Sequence, residues 1–459
     1  MKQGQIAMQL VDNNVRSSAT PPALTKESSI LVIGAGTWGS STALHLARRG
    51  YKSVTVLDPY PVPSPISAGN DINKILELSV SAPEGSHERY VGDRLAEDAI
   101  RGWKEDPVYQ GLYHETGAVT AATSDRGREA LNEGDGYSEA DGWRPLKTKE
   151  DFQKTMPEGV LTGDFPGWQG WTKKDGCGWV EARHALLRTI AEAERYGVSF
   201  VGGERGQVLS LIYEDDDVKG AVVAEGPAFR ADRTILCAGA NPARIFDMQN
   251  QLRPTAWTLA HIPMTPEEAA LYKDLPVLFN IERGFFMEPD ADKHELKICD
   301  EHPGYCNWET SPGDDPKHVS VPFAYHQVPL DAERRVRQFL QETMPHLVNR
   351  PFSHARICWC ADTPDRAFLI TRHPSYPSLV LGVGGSGHGF SYIPAVGGVI
   401  VDCLEDRMDA QMKQLFRWRP ETAIDRDWTD LQSRFGPEGS NHVMDFQKVD
   451  GWTSVQQAA

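Results

Sequence analysis

Residues 28–58 decide the fold, and they read SSILVIGAGTWGSSTALHLARRGYKSVTVLD. The apolar run Ile30–Ile33 ends at a glycine-rich turn, which is typical of a strand buried on both faces. The apolar stripe Thr42–Ala47, closed by Gly50, predicts a helix, and Val54–Leu57 predicts a second strand. Strand, helix and strand within about 30 residues form a βαβ unit, whose crossover requires a parallel sheet.

The turn in this unit has the spacing of a dinucleotide-binding motif. Gly34, Gly36 and Gly39 occupy its three glycine positions, and Asp58 closes the next strand 19 residues after Gly39. The first glycine permits the tight bend, the second lets a diphosphate approach the backbone, and the third brings helix and strand together. Asp58 would accept hydrogen bonds from a ribose, which favours FAD or NAD over NADP. The alternative is a glycine-rich turn with a purely structural role.

Two later segments repeat the pattern of an apolar strand that leads into glycine. They are Arg233–Ala240 and Leu379–Gly389. We therefore expect three strands of one sheet to end in glycine turns. Between these segments, Ala182–Tyr196 reads as an amphipathic helix, and residues 208–213 and 220–224 read as the strands of a hairpin.

The predicted fold class is α/β with α+β character. A discontinuous, Rossmann-like nucleotide-binding domain is joined by a second, mixed-sheet domain that covers it and carries the substrate site. The expected boundaries are a mobile N-terminal arm at 1–27, the nucleotide-binding domain at 28–105, 173–246 and 356–446, the substrate domain at 106–172 and 247–355, and a C-terminal tail at 447–459.

Composition excludes several classes of function. The chain has 459 residues and a formal charge of −17, which disfavours a nucleic-acid partner or an anionic membrane surface. No apolar run is long enough to span a bilayer, and the seven cysteines lack the density of a disulfide scaffold. We expect a soluble, cytoplasmic protein that is a monomer, with no metal site.

Five separated motifs are similar to those of the fructosyl amino acid and fructosyl peptide oxidases, or amadoriases, within the sarcosine-oxidase-like flavoproteins. The resemblance covers residues 28–446. The motifs are GAGTWGSS at 34–41, SAGNDINK at 67–74, KICDEHPG at 297–304, CWCADT at 358–363 and GGSGHGF at 384–390. The resemblance implies an FAD-binding domain and oxidation by oxygen of the C–N bond of Amadori products. The products would be glucosone, a free amino acid or peptide, and hydrogen peroxide.

The resemblance also implies that the cofactor is attached through a cysteine sulfur, and Cys358 matches that position. From the residues alone, Cys358 and Cys360 would face the same side of a strand, so the pattern does not choose between them. Two inert buried thiols and half of a metal site are the alternatives.

Three residues match the reaction machinery of the family. Lys74, expected at the start of a helix, matches the lysine implicated in the reaction with oxygen; otherwise it is a surface cation paired with Asp71. Glu301, expected to end a strand before the turn His302–Gly304, matches a carboxylate that holds the substrate's polar groups. Arg434 matches the arginine that pairs with the substrate carboxylate, although three other arginines lie close to it in the sequence.

The resemblance implies further cofactor contacts, and at one position this chain differs from many relatives. Relatives bind the flavin with the segment that contains His388, which is therefore expected in the cofactor shell rather than as a proton acceptor. Where many relatives carry a substrate-binding lysine, this chain has Ser391, which is expected to widen the entrance and change the preference among glycated amines. The expected cofactor contacts are Gly34, Gly36, Thr37, Trp38, Gly39, Asp58, Ser67, Cys358, Gly387, His388 and Gly389.

Two other functions remain open from the sequence. One is the oxidation of a different secondary amine, such as sarcosine or a pipecolate-like amino acid. The other is flavin binding without catalysis, against which the joint presence of Lys74 and Glu301 weighs. Many relatives end in a peroxisomal signal, and Gln457-Ala458-Ala459 is not one.

Overall fold

The computed structural model describes residues 22–76, 78, 82–133, 137–310, 318–426, 428 and 443–455. The helices in these residues are α1 (Thr37–Arg48), α2 (His87–Glu105), α3 (Asp125–Glu133), α4 (Lys149–Gln153), α5 (Ala182–Arg195), α6 (Pro266–Leu271), α7 (Leu330–Thr343), α8 (Ile393–Leu404) and α9 (Ala410–Leu415).

The strands of the described residues fall into several sheets. They are β1 (Ser29–Ile33), β2 (Ser53–Leu57), β3 (Lys74–Leu76), β4 (Tyr113–His114), β5 (Ala118–Ala122), β6 (Arg144–Leu146), β7 (Gln169–Lys173), β8 (Gly178–Val180), β9 (Ser199–Val201), β10 (Val208–Glu214), β11 (Asp217–Val223), β12 (Phe229–Arg230), β13 (Arg233–Leu236), β14 (Arg253–Pro263), β15 (Val277–Asn280), β16 (Gly284–Phe286), β17 (Glu295–Cys306), β18 (Trp308–Thr310), β19 (His318–Ser320), β20 (His354–Asp362), β21 (Leu369–Arg372), β22 (Leu379–Val383) and β23 (Met444–Asp445).

The sheet that contains the opening βαβ unit has the order β21-β22-β13-β1-β2-β9 among the described residues. β1 pairs in parallel with β2 and with β13, and β13 pairs in parallel with β22. Helices cover one face of this sheet, and α1 packs on α8 and α5 there. Buried side chains on the other face form a separate cluster with the β10–β11 hairpin. The predicted parallel sheet, the helix at Ala182 and the hairpin are confirmed.

A larger mixed sheet lies beside it, with the described strands ordered β20-β14-β17-β16-β15-β5-β7-β6. α7 and an aromatic-rich core that includes Phe286 pack against this sheet. Phe286 is fully buried in that core. This sheet and the parallel sheet together give the two-part α/β architecture that the sequence predicts.

Two local expectations were wrong. Lys74 begins β3 and not a helix, because residues 74–76 pair antiparallel with β8 about a hundred residues away. β17 does not end before residue 301 but continues to Cys306. Its register with β14 shifts between the pairs Thr258–Asp300 and Ala256–Tyr305, and Gly304 lies within this shift with a φ of +83°. The Pro-Gly signal therefore marks an irregularity within a strand.

The predicted domain division stays a prediction, but three placements bear on it. β20 pairs with β14 in the large sheet, although the predicted boundary gives its residues from 356 onward to the nucleotide-binding domain. In the expected arm, Lys26 pairs with Glu405 of the segment after α8. In the expected tail, Thr453 donates its backbone N–H to the Val328 carbonyl.

Candidate functional site

The glycine turns meet at one edge of the parallel sheet. β22, β13 and β1 are neighbours, so the turns that follow them lie side by side; we call this the glycine edge, residues 34–39, 237–240 and 384–389. Gly34 has a φ of +106°, and a Cβ there would lie 2.3 Å from the Cys237 carbonyl oxygen. A Cβ on Gly39 would lie 1.7 Å from the Gly34 carbonyl oxygen. The close packing of these turns therefore requires glycine.

The N-terminus of α1 lies at this edge and has the features of an anion-binding site. Gly36 is the N-cap, no side chain caps the helix, and the first turn, which contains Thr37 and Trp38, has no acidic residue. The backbone N–H groups of a first turn have no partner within the helix, and they carry the positive end of the helix dipole. A Cβ on Gly36 would lie 3.2 Å from Ser67 Oγ, so the space in front of the turn is narrow. These features fit the diphosphate of a dinucleotide such as FAD.

Asp58 holds the turn through both of its carboxylate oxygens. Its Oδ2 accepts the Ala35 N–H at 3.0 Å, and its Oδ1 accepts the Tyr60 N–H at 3.0 Å. Burial raises the pKa of this carboxyl group. Each carboxylate oxygen has a second lone pair, so ribose hydroxyls could still donate to Asp58.

The first and third glycine turns are tied together. Trp38 Nε1 donates to the Gly389 carbonyl at 3.0 Å, and Phe390 lies near Gly69, just after Ser67. His388 places Nδ1 3.0 Å from the Ser386 carbonyl oxygen and stacks on Phe368 at 5.0 Å between ring centroids. This carbonyl fixes the proton on Nδ1 of the neutral ring. His388 is therefore positioned by the turn itself.

The second part of the candidate site is a set of charged side chains that we call the Asp71 cluster: Asp71, Lys74, Lys297 and Arg356. Lys74 is partly exposed and the other three are buried. Lys74 donates to Asp71 Oδ2, Lys297 Nζ lies 2.8 Å from the same oxygen, and Arg356 Nη2 lies 3.9 Å from it. Lys297 is 1% exposed and also donates to the Asn73 carbonyl at 2.7 Å.

The charges in this cluster hold one another in the ionised form. Burial alone would raise the pKa of Asp71, but the charges of Lys297, Lys74 and Arg356 keep it well below its ordinary value. Burial is the largest influence on Lys74 and opposes its charged form, but Asp71 together with the nearby Cys358 and Cys299 more than offsets it, so the pKa of Lys74 is raised. The cluster therefore presents fixed charge near neutral pH.

The sequence patterns did not lead us to place Lys297 or Arg356 in the candidate site. Lys297 lies in the quoted motif KICDEHPG, between Leu296 and Ile298, which are fully buried in the sheet core. A lysine that alternates with core residues on a strand must face the opposite side of the sheet, and that signal was available. Arg356 had no comparable signal, because its partner Asp71 lies 285 positions earlier in the sequence.

Cys358 lies on β20 next to the Asp71 cluster. It pairs with Trp257 of β14, it is two residues from Arg356, and its thiol is close enough to influence the pKa of Lys74. Cys358 and Cys360 are both partly exposed. Desolvation, with the Asp362 carboxylate beside it, raises the pKa of the Cys360 thiol well above its ordinary value. Among the described residues, no three His, Cys, Asp or Glu side chains converge as a metal site would require.

Ser391 faces β3 rather than a wide opening. It is 8% exposed, its Oγ donates to the Ile75 carbonyl at 3.4 Å, and its carbonyl accepts the Trp103 Nε1–H at 2.8 Å. Because Ile75 follows Lys74, the position where relatives carry a lysine lies near the Asp71 cluster. Its effect on the entrance stays a prediction.

Two of the predicted substrate contacts cannot be placed as side chains. Glu301 lies in β17 by its backbone, and its side chain is outside the description; Arg434 lies outside the described residues altogether. The neighbouring arginines have other partners: Arg417 pairs with Glu421, Arg419 pairs with Asp365 at 2.8 Å, and Arg426 donates to the Pro364 carbonyl at 3.0 Å.

Comparisons with known proteins agree with this geometry. The family model described as FAD dependent oxidoreductase matches residues 29–403. The crystal structure of Amadoriase I, a fructosyl amine:oxygen oxidoreductase of Aspergillus fumigatus, is 55% identical with a TM-score of 0.91, covering 96% of this chain and 100% of that one. A modified fructosyl peptide oxidase of Aspergillus nidulans is 30% identical with a TM-score of 0.81, covering 94% and 100%. L-saccharopine oxidase of Schizosaccharomyces pombe is 26% identical over 429 residues, 88% of this chain and 96% of the relative.

The chain belongs to the FAD-dependent oxidoreductase family, whose model spans both the glycine edge and the Asp71 cluster. Within that family it groups with the fructosyl amine oxidases, the amadoriases, as the five motifs predict. It is thus an FAD-dependent oxidoreductase with the amadoriase fold. In the described part of the chain, no helix is long and apolar enough to cross a membrane.

Proposed function

We propose that this protein is an FAD-dependent oxidase of Amadori products, acting on the C–N bond of fructosyl amino acids or short fructosyl peptides. The products are glucosone, the free amine and hydrogen peroxide. The observation that carries the proposal is the 55% identity with Amadoriase I over 96% of the chain. A likeness of 26% to an L-saccharopine oxidase keeps other secondary amines as the second candidate.

The chain's own residues bind and orient the reactants. When bound, FAD accepts two electrons from the substrate and delivers them to oxygen. The first turn of α1 would hold the diphosphate, Asp58 the ribose, and the turns with Ser67 and Gly387–Gly389 the remainder of the cofactor. The predicted division into an FAD-binding and a substrate domain would place the reacting bond between the two sheets and away from water.

Covalent attachment through Cys358 is part of this proposal. Cys358 lies two residues from Arg356 on β20 and is close enough to Lys74 to influence the pKa of that lysine. Cys360 is held as a thiol by desolvation and by Asp362, which makes it a poor nucleophile. After denaturation we expect flavin fluorescence to stay with the Cys360→Ser chain and to separate from the Cys358→Ser chain. The reverse result would reassign the attachment to Cys360.

We propose that Lys74 promotes the reaction with oxygen. Its ammonium is held charged by Asp71, and a fixed positive charge stabilises the negative charge that develops on oxygen as it is reduced. Lys74→Met should slow reoxidation by about 100-fold while leaving anaerobic reduction by substrate within a few-fold. Lys52→Met, which alters an exposed lysine paired with Glu27, is the control. Equal slowing of both half-reactions would contradict the assignment.

We propose that Glu301 and Arg434 bind the substrate's polar groups and its carboxylate. Arg417, Arg419 and Arg426 already have other partners, which supports the choice of Arg434 among the arginines of this segment. Arg434→Gln should raise KM for fructosyl-valine by about 10- to 100-fold, the worth of a bidentate ion pair. Arg417→Gln serves as the matched control and should leave KM unchanged.

The substrate class is tested by peroxide release from a panel of amines. We expect turnover of fructosyl-valine, fructosyl-lysine or a fructosyl-peptide, and much weaker turnover of sarcosine, pipecolate and L-saccharopine. Preferential turnover of an unglycated amine would replace the proposal with the second candidate. Flavin that no amine reduces would indicate a non-catalytic binding protein.

The Ser391 position tests the preference among glycated amines. A lysine at this site would project toward β3 and Lys74. Ser391→Lys should change the ranking of fructosyl-valine, fructosyl-lysine and a fructosyl-peptide in steady-state kinetics. An unchanged ranking would show that this position does not set specificity.

A monomeric state and a cytoplasmic location are also proposals. The formal charge of −17 favours mutual repulsion between copies at low ionic strength. Light scattering that gives a mass near 50.9 kDa would support the monomer, and a doubled mass would contradict it. Fluorescence microscopy of the tagged full chain tests the location.

A further inference from the structure

A cavity that the proposed reaction does not use is lined in part by Asp71 and Arg356 of the Asp71 cluster. It has a volume of about 330 Å³ and lies between residues 63–71, the start of α5, and the paired ends of β14 and β20. Neither Cys358 nor the glycine edge contributes to its described lining. The cavity therefore adjoins the Asp71 cluster and is distinct from the glycine edge.

The lining is rich in cationic and N–H donor groups. Arg183 reaches in from α5, Arg356 and His354 from β20, His261 from β14, and His326 from the mouth. Asp71 is the acidic residue among the described lining, and it already accepts from two lysines. The positive charge of the two arginines is therefore not neutralised by the wall of the cavity.

Two buried nitrogens of this lining have no hydrogen-bond partner. They are Arg356 Nη2 and His261 Nε2, on residues that are each 4% exposed. His261 Nδ1 lies 3.0 Å from Glu295 Oε2, and this contact fixes the ring. Unpaired buried polar atoms are costly, and proteins seldom keep them without a ligand or water.

We propose that this cavity binds one small carboxylate anion. A planar guanidinium offers paired N–H donors that match a carboxylate, and Arg356 and Arg183 can approach it from two sides.

The two arginines supply the positive charge of the cavity. His261 faces His354 at 4.8 Å between ring centroids, Glu295 at Nδ1, and Lys297 one strand away. His354 also faces His326 and Arg356, and burial together with these neighbours lowers the pKa of His354 to about 4. His354 is therefore neutral near pH 7, whereas arginine side chains stay charged there.

Calorimetric titration of the holoenzyme with acetate at constant ionic strength tests the proposal. We expect one site with a Kd on the order of 1 mM. Arg183→Gln and His354→Gln should each weaken it at least about tenfold, and Arg183→Lys should restore part of the affinity. Arg188→Gln, an exposed arginine one turn further along α5, is the matched control.

Each outcome of this titration either supports or overturns the proposed anion site. Saturable binding that the cavity variants weaken, in protein that keeps its flavin absorbance and circular dichroism, supports the site. Absence of saturable heat, or equal affinity in the Arg183→Gln, Arg188→Gln and unaltered proteins, overturns it. Competition of acetate with fructosyl-valine in the kinetics would also overturn it, because the anion would then occupy the substrate site.

Discussion

The glycine edge and the Asp71 cluster are the two parts of the candidate site, and they differ in the groups that form them. The glycine edge offers backbone groups packed so closely that a Cβ at Gly39 would fall 1.7 Å from a carbonyl oxygen. The Asp71 cluster offers charged side chains from β3, β17 and β20, with Lys297 only 1% exposed. One side depends on the absence of side chains, the other on their charge.

This difference predicts which kind of substitution destabilises the glycine edge and which kind destabilises the Asp71 cluster. The glycine edge fails by steric conflict, which neither salt nor pH relieves. The Asp71 cluster fails when one of its charges loses its counter-charge, because an uncompensated buried ion is costly. Substitutions on the two sides should therefore differ in their dependence on pH and in whether a second substitution rescues them.

The largest expected effect is that of Gly39→Ala. The added Cβ meets backbone that cannot move without opening the first turn, so we expect a loss of more than roughly 4 kcal/mol and a protein without flavin. Soluble yield, flavin content and thermal unfolding measure the effect. Gly385→Ala is the matched control, because its Cβ would meet nothing nearer than 3.6 Å. Equal loss in both variants would contradict the steric explanation.

Asp71→Asn should come next. It leaves the buried Lys297 without its counter-charge, at a cost of about 3–5 kcal/mol in the free energy of unfolding. Adding Lys297→Met should recover part of that loss, which denaturant titration of both single variants and the double variant measures. Additive losses would show that the two residues are not coupled.

The pH dependence of the unfolding free energy also distinguishes the Asp71 cluster from the glycine edge. The folded pKa of Asp71 lies well below its ordinary 3.8, so its contribution to stability is complete above about pH 4 and disappears as the pH falls through the folded value. Between about pH 5 and pH 2, the unfolding free energy of the unaltered protein should fall more steeply than that of Asp71→Asn. Gly385→Ala should run parallel to the unaltered protein. Parallel curves for all three would remove Asp71 from the acid response.

The smallest expected effect is at Ser391, where α8 approaches β3. Ser391→Ala removes one long hydrogen bond to the Ile75 carbonyl and should cost about 0.5 kcal/mol. Trp103→Phe, which removes the 2.8 Å donor to the Ser391 carbonyl, should cost more, about 1–3 kcal/mol. Denaturant midpoints at fixed flavin content measure both, and a larger loss in Ser391→Ala would reverse the assignment.

The glycine edge could be predicted from sequence because each of its parts is local. An apolar strand, a glycine spacing and a helix signal lie within a few residues of one another, and the parallel pairing of β1 with β2 and β13 follows from them. Even there, the motif predicts only that Asp58 binds a ribose, and it does not predict the hydrogen bond that Asp58 accepts from the Ala35 N–H.

The Asp71 cluster could not be assembled in the same way. The sequence predicts a helix at Lys74, because a three-residue strand is too short to show alternating apolar and polar residues. The strand with which it pairs, β8, is also far away in the sequence. Lys297 and Arg356 meet Asp71 only through the pairing of β14 with both β17 and β20. Cys358 was found through the resemblance to a family, since spacing alone did not separate it from Cys360.

The hydrogen bond from Trp38 to the Gly389 carbonyl joins positions 351 apart in the chain. While the protein is being synthesised, the opening motif leaves the ribosome long before the residue it must meet. The cradle for the cofactor is therefore incomplete until almost the whole polypeptide has emerged, and flavin should be captured only after translation is nearly finished.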